Sequence, residues 1–263
     1  ILAVLGESAE MSGESSSRTN IDIPQAQKDL LGALLKTGKP VIMVMFAGRP
    51  LTIKWESENV PVILNVWFGG SEAGYAIADV LFGDVNPSGK LTSTFPQNIG
   101  QVPIYYAHKN TGRPLPQGKW FEKFRSNYLD VSNDPLYPFG YGLSYTQFTY
   151  SDIKLSSSKM AKSGSIIASV TVTNTGMIEG KEVVQLYLRD MVGSITRPVK
   201  ELKGFQKINL KPGETKELNF NITEEELKFY NSDLQYVSEP GDFKVFIGSN
   251  SRDVKENGFE LTD

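Results

Sequence analysis

Apolar and polar positions follow two different periods along the chain. Over residues 1–95, short unbroken apolar runs alternate with stretches of helical spacing. "ILAVL" (1–5), "VIMVMF" (41–46), "VPVILNVWF" (60–68) and "KLTSTF" (90–95) read as strands. "IPQAQKDLLGALLKTGKP" reads as a helix. Asp22 lies just outside it, Pro24 suits its first turn, and Leu30, Leu31, Leu34 and Leu35 form a stripe before Gly38 and Pro40 end it. "SEAGYAIADVLFG" (71–83) reads as a second helix, opened by Gly69-Gly70-Ser71 and stopped by Gly83. Strands without polar alternation are buried on both faces, and strand–helix alternation predicts right-handed crossovers and a largely parallel sheet.

From residue 148 the period becomes two. "SIIASVTVTNTG", "KEVVQLYLRD", "VKELKGFQKINL", "TKELNFNI", "LQYVSEPGDFKVFIGS" and "GFELTD" read as short strands, separated by turn signals such as Asn174-Thr175-Gly176, Pro212-Gly213 and Pro240-Gly241. This pattern predicts an antiparallel β-sandwich. "TEEELKFY" (223–230) reads as one or two helical turns, with Thr223 and Glu226 as a capping box. Between the halves, residues 96–147 have no clear period but hold six of the eleven tyrosines, with Trp120, Phe121, Phe124 and Phe139. A loop that long is uncommon, and it reads as an aromatic wrap that pins one domain to another. The expected fold class is therefore α/β plus all-β: residues 1–96, a long loop over 97–147, and a sandwich over 148–263.

Composition narrows the chemistry. The 263 residues are 40% hydrophobic and 22% charged, which is ordinary for a globular chain large enough for two cores. Residues 1–150 carry 12 Lys/Arg against 13 Asp/Glu, and residues 151–263 carry 15 against 17, so neither half offers a nucleic-acid partner the basic face it needs. No apolar run approaches the ~20 residues needed to span a bilayer, so no membrane partner is expected. Cysteine is absent, which excludes disulfides, thiol catalysis and Cys-based zinc sites. One histidine, His108, rules out a multi-histidine metal site within one copy, and no G-x-S-x-G elbow accompanies it. Neither a metal nor a cofactor is expected.

What remains is the loop "GESAEMSGESSSR", with Glu7, Glu10 and Glu14 leaving the end of the first strand. Loops at the carboxyl ends of parallel strands meet ligands, and a carboxylate there can act as a general acid. Solvated loop acids are the simpler reading, and spacing does not choose among the three glutamates. Arg18 is close enough in sequence to pair with one of them. Gly69-Gly70-Ser71 reads as a helix cap rather than an anion site, since no Walker or G-x-G-x-x-G pattern surrounds it. His108, beside Tyr105 and Tyr106, reads as a surface or hydrogen-bonded residue, with ligand contact as the alternative. The loop aromatics suit either sugar stacking or domain packing.

Several segments together resemble one family: "GESAEMSGESSSR", "GKPVIMVMFAGRPL", "WFGGSEAGYAIADVLFGDVNPSGKLTSTFP", "YYAHKNTGRP", "YPFGYGLSYTQF", "VTVTNTGMIEGKEVVQLYLRD" and "RPVKELKGFQKINLKPGET". In this order, along almost the whole chain, they resemble the C-terminal portion of glycoside hydrolase family 3 enzymes of the periplasmic β-glucosidase type. The resemblance implies part of an α/β sandwich followed by a fibronectin type III-like domain. It implies a longer parent whose N-terminal barrel and first sandwich segment are missing from this chain. It also implies a retaining mechanism with two carboxylates roughly 5–5.5 Å apart. The nucleophile aspartate belongs to the barrel and has no counterpart here. The acid/base glutamate of the family's M-x-x-E-x-S-S-R pattern falls on Glu14, between Met11 and Ser16-Ser17-Arg18. Arg18 then organises the loop, and Glu7 and Glu10 become structural or solvated.

The implied partners are a β-glucoside oligosaccharide or aryl glycoside, the missing barrel and a possible second copy of the chain. Arg18 and His108 are weak candidates for substrate contact. The resemblance further implies export to the periplasm or outside, and a fragment that is inactive alone. The rival expectation is a carbohydrate-binding or structural module without catalysis.

Overall fold

The computed structural model describes residues 1–116 and 118–263, which form two compact units. The first comprises Ile1–Val85, Ser93–Ile104 and Tyr128–Tyr137. Its strands are β1 (Leu2–Gly6), β2 (Ile42–Phe46) and β3 (Val62–Asn65), and its helices are α1 (Gln25–Leu35), α2 (Lys54–Asn59) and α3 (Ala73–Phe82). The three strands run parallel in the order β1-β2-β3, with Leu2 opposite Ile42 and Ile42 opposite Val62. β2 is central, and Met43, Val44 and Met45 are buried on both faces, as its unbroken apolar run predicts. Of the α1 stripe only Leu31 is fully buried, while Leu30 is exposed.

Two expectations need correction here. "KLTSTF" (90–95) is not a fourth strand. Phe95 forms an isolated bridge to Tyr137, and Leu91 donates to the carbonyl of Tyr141, so this backbone is satisfied outside the sheet. Pro96 has no N–H with which to continue a ladder. A helix was also missed: α2 spans only six residues and has no clear stripe, which leaves too little period to detect. α3 begins at Ala73 rather than Ser71, and Gly83 ends it in the left-handed conformation expected of a helix-stopping glycine.

The second unit comprises Asn86–Thr92, Tyr105–Asn127 and Pro138–Asp263. It holds β4 (Phe148–Tyr150), β5 (Lys154–Leu155), β6 (Lys159–Ala161), β7 (Ser165–Asn174), β8 (Gly180–Asp190), β9 (Glu201–Leu210) and β10 (Thr215–Thr223). After α4 (Glu224–Leu227) come β11 (Phe229–Tyr230), β12 (Tyr236–Val237), β13 (Gly241–Gly248) and β14 (Val254–Thr262). β11 pairs with β12 separately, and the sandwich sheets are ordered β10-β7-β4, with β5 also on β7, and β6-β14-β13-β8-β9. Ile166, Val172, Leu186, Ile222, Val245 and Ile247 lie in the core between them. Strict alternation along β7 explains why the sequence reveals the sandwich. The first three short strands, 148–161, are too brief to carry a period. Thr223 and Glu226 form the expected capping box, although the helix is a single turn.

Among its described residues the segment 105–127 contains no strand but is not structureless. Its backbone bridges Lys109 to Pro198 and Pro114 to Ser126, and Tyr106 stacks on Phe139 with ring centroids 4.5 Å apart. The hydroxyl of Tyr106 also accepts from the Leu202 amide at 3.2 Å.

Candidate active site

The acidic loop leaves the carboxyl end of β1, the position at which open parallel sheets receive ligands. Its entry is fixed from two sides. The Gln27 amide grips Gly6, its Oε1 accepting from the Gly6 N–H at 2.8 Å and its Nε2 donating to the Gly6 carbonyl at 3.0 Å. Gly6 itself has φ +130°, and a Cβ there would lie 1.8 Å from the Phe46 carbonyl oxygen, so only glycine fits.

The three glutamates then take different environments. Glu7 is 5% exposed. Its Oε1 lies 2.8 Å from Arg18 Nη1 and 3.0 Å from Arg49 Nε, and its Oε2 accepts from the Gly48 N–H at 3.1 Å. A buried carboxylate is tolerated in such a setting, because two guanidinium groups and an amide replace its water. Glu10 is exposed and accepts from Ser8 Oγ at 3.1 Å. Glu14 sits at the crest of a turn closed by the Ser16 N–H on the Gly13 carbonyl at 3.2 Å. Its carboxylate is exposed and engages no partner among the described residues. The turn is sharp: Gly13 has φ +127° and Ser15 has φ +61°, and the latter costs about 1 kcal/mol for a residue with a side chain.

Arg49 comes from the loop after β2, the neighbouring strand. Its Nη2 donates to the carbonyls of Met11 at 2.6 Å and of Ser16 at 2.9 Å, one on each side of Glu14. The two loops lie in direct contact, since a Cβ on Gly48 would fall 1.9 Å from Ser12 Oγ. Sequence reasoning missed Arg49. The available signal was positional: an arginine just past the carboxyl end of the adjacent parallel strand.

A second ionic chain continues behind the loop. Arg18 Nη2 donates to the Asp22 carbonyl at 3.1 Å, and Lys28 Nζ lies 3.0 Å from Asp22 Oδ2. Burial pushes the Asp22 carboxyl up. The hydrogen bonds from Thr52 and Lys28 and the positive charges of Lys28 and Arg18 outweigh that effect and hold it below the usual carboxylate range. Lys28 Nζ also lies 3.9 Å from Glu56 Oε1. Glu56 is fully buried on α2, neither of its oxygens finds a hydrogen-bonding partner outside its own residue among the described residues, and burial pushes its carboxyl up.

Of the remaining candidates, one belongs to this constellation. Arg18 is inside it, engaged with Glu7 and Asp22. His108 belongs to the second unit and is exposed, with its carbonyl accepting from the Val199 N–H at 2.9 Å. Ahead of α3, Gly70 has φ +73° and its carbonyl accepts from the Ala73 N–H at 3.2 Å, so Gly69-Gly70-Ser71 is a turn leading into the helix. Among the described residues, no group of three or more His, Asp or Glu is arranged to hold a metal ion. The loop thus presents the Glu14 carboxylate, without a partner among the described residues, on a turn braced by Arg49.

Comparison with known proteins establishes the family of the chain. The model of the glycosyl hydrolase family 3 C-terminal domain matches residues 1–145, and that of the fibronectin type III-like domain matches residues 182–251. The chain belongs to glycosyl hydrolase family 3. Among relatives in this family, the periplasmic beta-glucosidase of Salmonella typhimurium is 56% identical over 99% of this chain and 34% of that protein. A beta-xylosidase of Formosa agariphila is 46% identical over 96% of this chain and 34% of that protein. The crystal structure of a beta-glucosidase from Listeria innocua in complex with glucose superimposes with a TM-score of 0.95 at 44% identity, covering 100% of this chain and 36% of that one. The chain thus spans about a third of the length of the family members it matches.

Proposed function

We propose that this chain supplies the acid/base residue, Glu14, of a retaining glycosidase that removes terminal β-D-glucosyl residues. Its nucleophile aspartate would lie on an N-terminal barrel that is no part of this chain. The observation that carries the reading is the sorting of the three glutamates. Glu7 is engaged by Arg18 and Arg49, Glu10 accepts from Ser8, and of the three only Glu14 has no side-chain partner among the described residues, on a braced turn at the end of a parallel strand. Glu14 would first donate a proton to the departing glycosidic oxygen as the nucleophile attacks. It would then take a proton from the water that hydrolyses the glycosyl-enzyme. The name of the Salmonella relative supports a periplasmic or secreted location.

The test is Glu14→Ala in the full-length enzyme. Hydrolysis of cellobiose is expected to fall about 10²–10⁴-fold, the range for a lost general acid–base catalyst. Azide, a nucleophile that needs no deprotonation, is expected to restore turnover of an activated aryl glucoside as the glucosyl azide. Unchanged hydrolysis would remove Glu14 from the mechanism. The chain by itself, lacking the nucleophile, is expected to show no turnover.

A second reading draws on the exposed aromatics Trp120, Phe121 and Phe124. Such rings can stack on sugar C–H faces in a binding module without catalysis. Calorimetry of the isolated chain with gluco-oligosaccharides separates the two readings, because a binding module binds alone and half an active site does not.

A further inference from the structure

We infer that Arg49 is a positioning residue for proton transfer at Glu14, acting through the backbone on both sides of it and anchored from below by buried Glu7. The inference rests on the assignment of Glu14 as acid/base and names what sets its height and direction. Within residues 8–17 the backbone closes two local bonds, Met11 N–H to the Ser8 carbonyl and Ser16 N–H to the Gly13 carbonyl. Among the described residues, the two bonds from Arg49 Nη2, to Met11 and Ser16, are the only hydrogen bonds tying this stretch to the rest of its unit. They fall three residues before Glu14 and two after it, so they span the crest of the turn.

A single guanidinium does this because it is a planar fork. While Nη2 donates to two carbonyls, Nε lies 3.0 Å from Glu7 Oε1 as an ion pair without hydrogen-bond geometry. Glu7 in turn is held by the Gly48 N–H and by Arg18, so the chain of contacts runs without a break from the end of β1 to the turn. An ammonium group on a lysine stem can keep the charge opposite Glu7 but cannot at the same time hold both carbonyls in the fork's geometry. Proton transfer is sensitive to such placement: a displacement of about 1 Å costs on the order of 10²-fold in rate.

The experiment is a leaving-group comparison in the full-length enzyme with Arg49→Met, Arg49→Lys and Glu14→Ala, reading kcat/KM, which reports glycosyl-enzyme formation. Cleavage of cellobiose expels glucose through its O4, a poor alkoxide leaving group that needs the acid, whereas 2,4-dinitrophenolate leaves as a stable anion and does not. Both Arg49 variants are expected to lose roughly tenfold to a hundredfold on cellobiose and no more than about threefold on 2,4-dinitrophenyl β-glucoside. Thermal melting checks folding, and Arg49→Lys carries the test should Arg49→Met not fold.

Equal losses on the two substrates would reduce Arg49 to a merely structural role and overturn the inference. Full activity in Arg49→Lys would overturn the fork argument by showing that charge alone suffices. If Glu14→Ala shows the leaving-group signature and the Arg49 variants do not, only the clamp falls. If Glu14→Ala lacks it, the acid/base assignment and the clamp fall together.

Discussion

Glu56 shows how one residue ties stability to pH. Its carboxyl is fully buried, with Lys28 at 3.9 Å and the negative charge of Asp22 beyond, and burial raises its pKa above the ordinary glutamate value. As pH climbs through that ordinary range, the unfolded chain gives up the Glu56 proton while the folded chain keeps it. Folding then requires proton uptake, and stability falls with rising pH until the folded form ionises as well. Glu56→Gln keeps the shape and removes the titration. The melting temperature of the variant is expected to rise relative to the parent between acidic and neutral pH; a difference that stays constant across that range would refute the argument. No pattern in the sequence marks Glu56, because a lone acid in "KWESEN" looks like any helix surface position and only the tertiary packing buries it. The same holds for Glu7. The motif resemblance points to Glu14, but the burial that disqualifies Glu7 depends on arginines 11 and 42 residues away, beyond the reach of local spacing.

At the scale of elements, what could be read in advance followed the length and regularity of the period. β7 alternates over ten residues and β8 is an eleven-residue apolar-rich strand, and both were legible, while β5, β11 and β12 are two-residue strands that no periodicity can declare. α4 is the informative exception: four residues have no period, yet its cap was legible because capping is local chemistry. Thr223 Oγ1 accepts from the Glu225 N–H at 3.3 Å, and Glu226 Oε2 accepts from the Thr223 N–H at 2.7 Å. Thr223→Ala is therefore expected to cost about 1 kcal/mol locally. Hydrogen exchange would read this as about a fivefold loss of amide protection over Glu225–Lys228, with the β13–β14 amides unchanged. Equal protection in the two proteins would show that the cap is redundant with packing. "KLTSTF" failed for the opposite reason: its composition suits a strand, but its hydrogen bonds go to the 136–141 backbone, and sequence does not show where a partner strand will be.

Across the whole molecule, the two units differ in how completely each buries its apolar surface. The sandwich encloses a continuous core between its sheets. In the α/β unit, α3 has no buried residue, and Tyr75 and Phe82 on it are exposed. β1 is an edge strand, with Leu2 and Val4 half or more open to solvent. Natural edges are usually blunted by lysine, proline or a bulge. The five residues "LAVLG" contain none of these, and β1 meets β2 in unbroken register. Its outer row of amides and carbonyls is a template on which any extended chain of suitable hydrophobicity can crystallise into an added strand. Handled at high concentration, this polypeptide should stay dispersed only while something occupies that rim, and a lysine introduced at Val4 would guard it by keeping would-be neighbours solvated and apart.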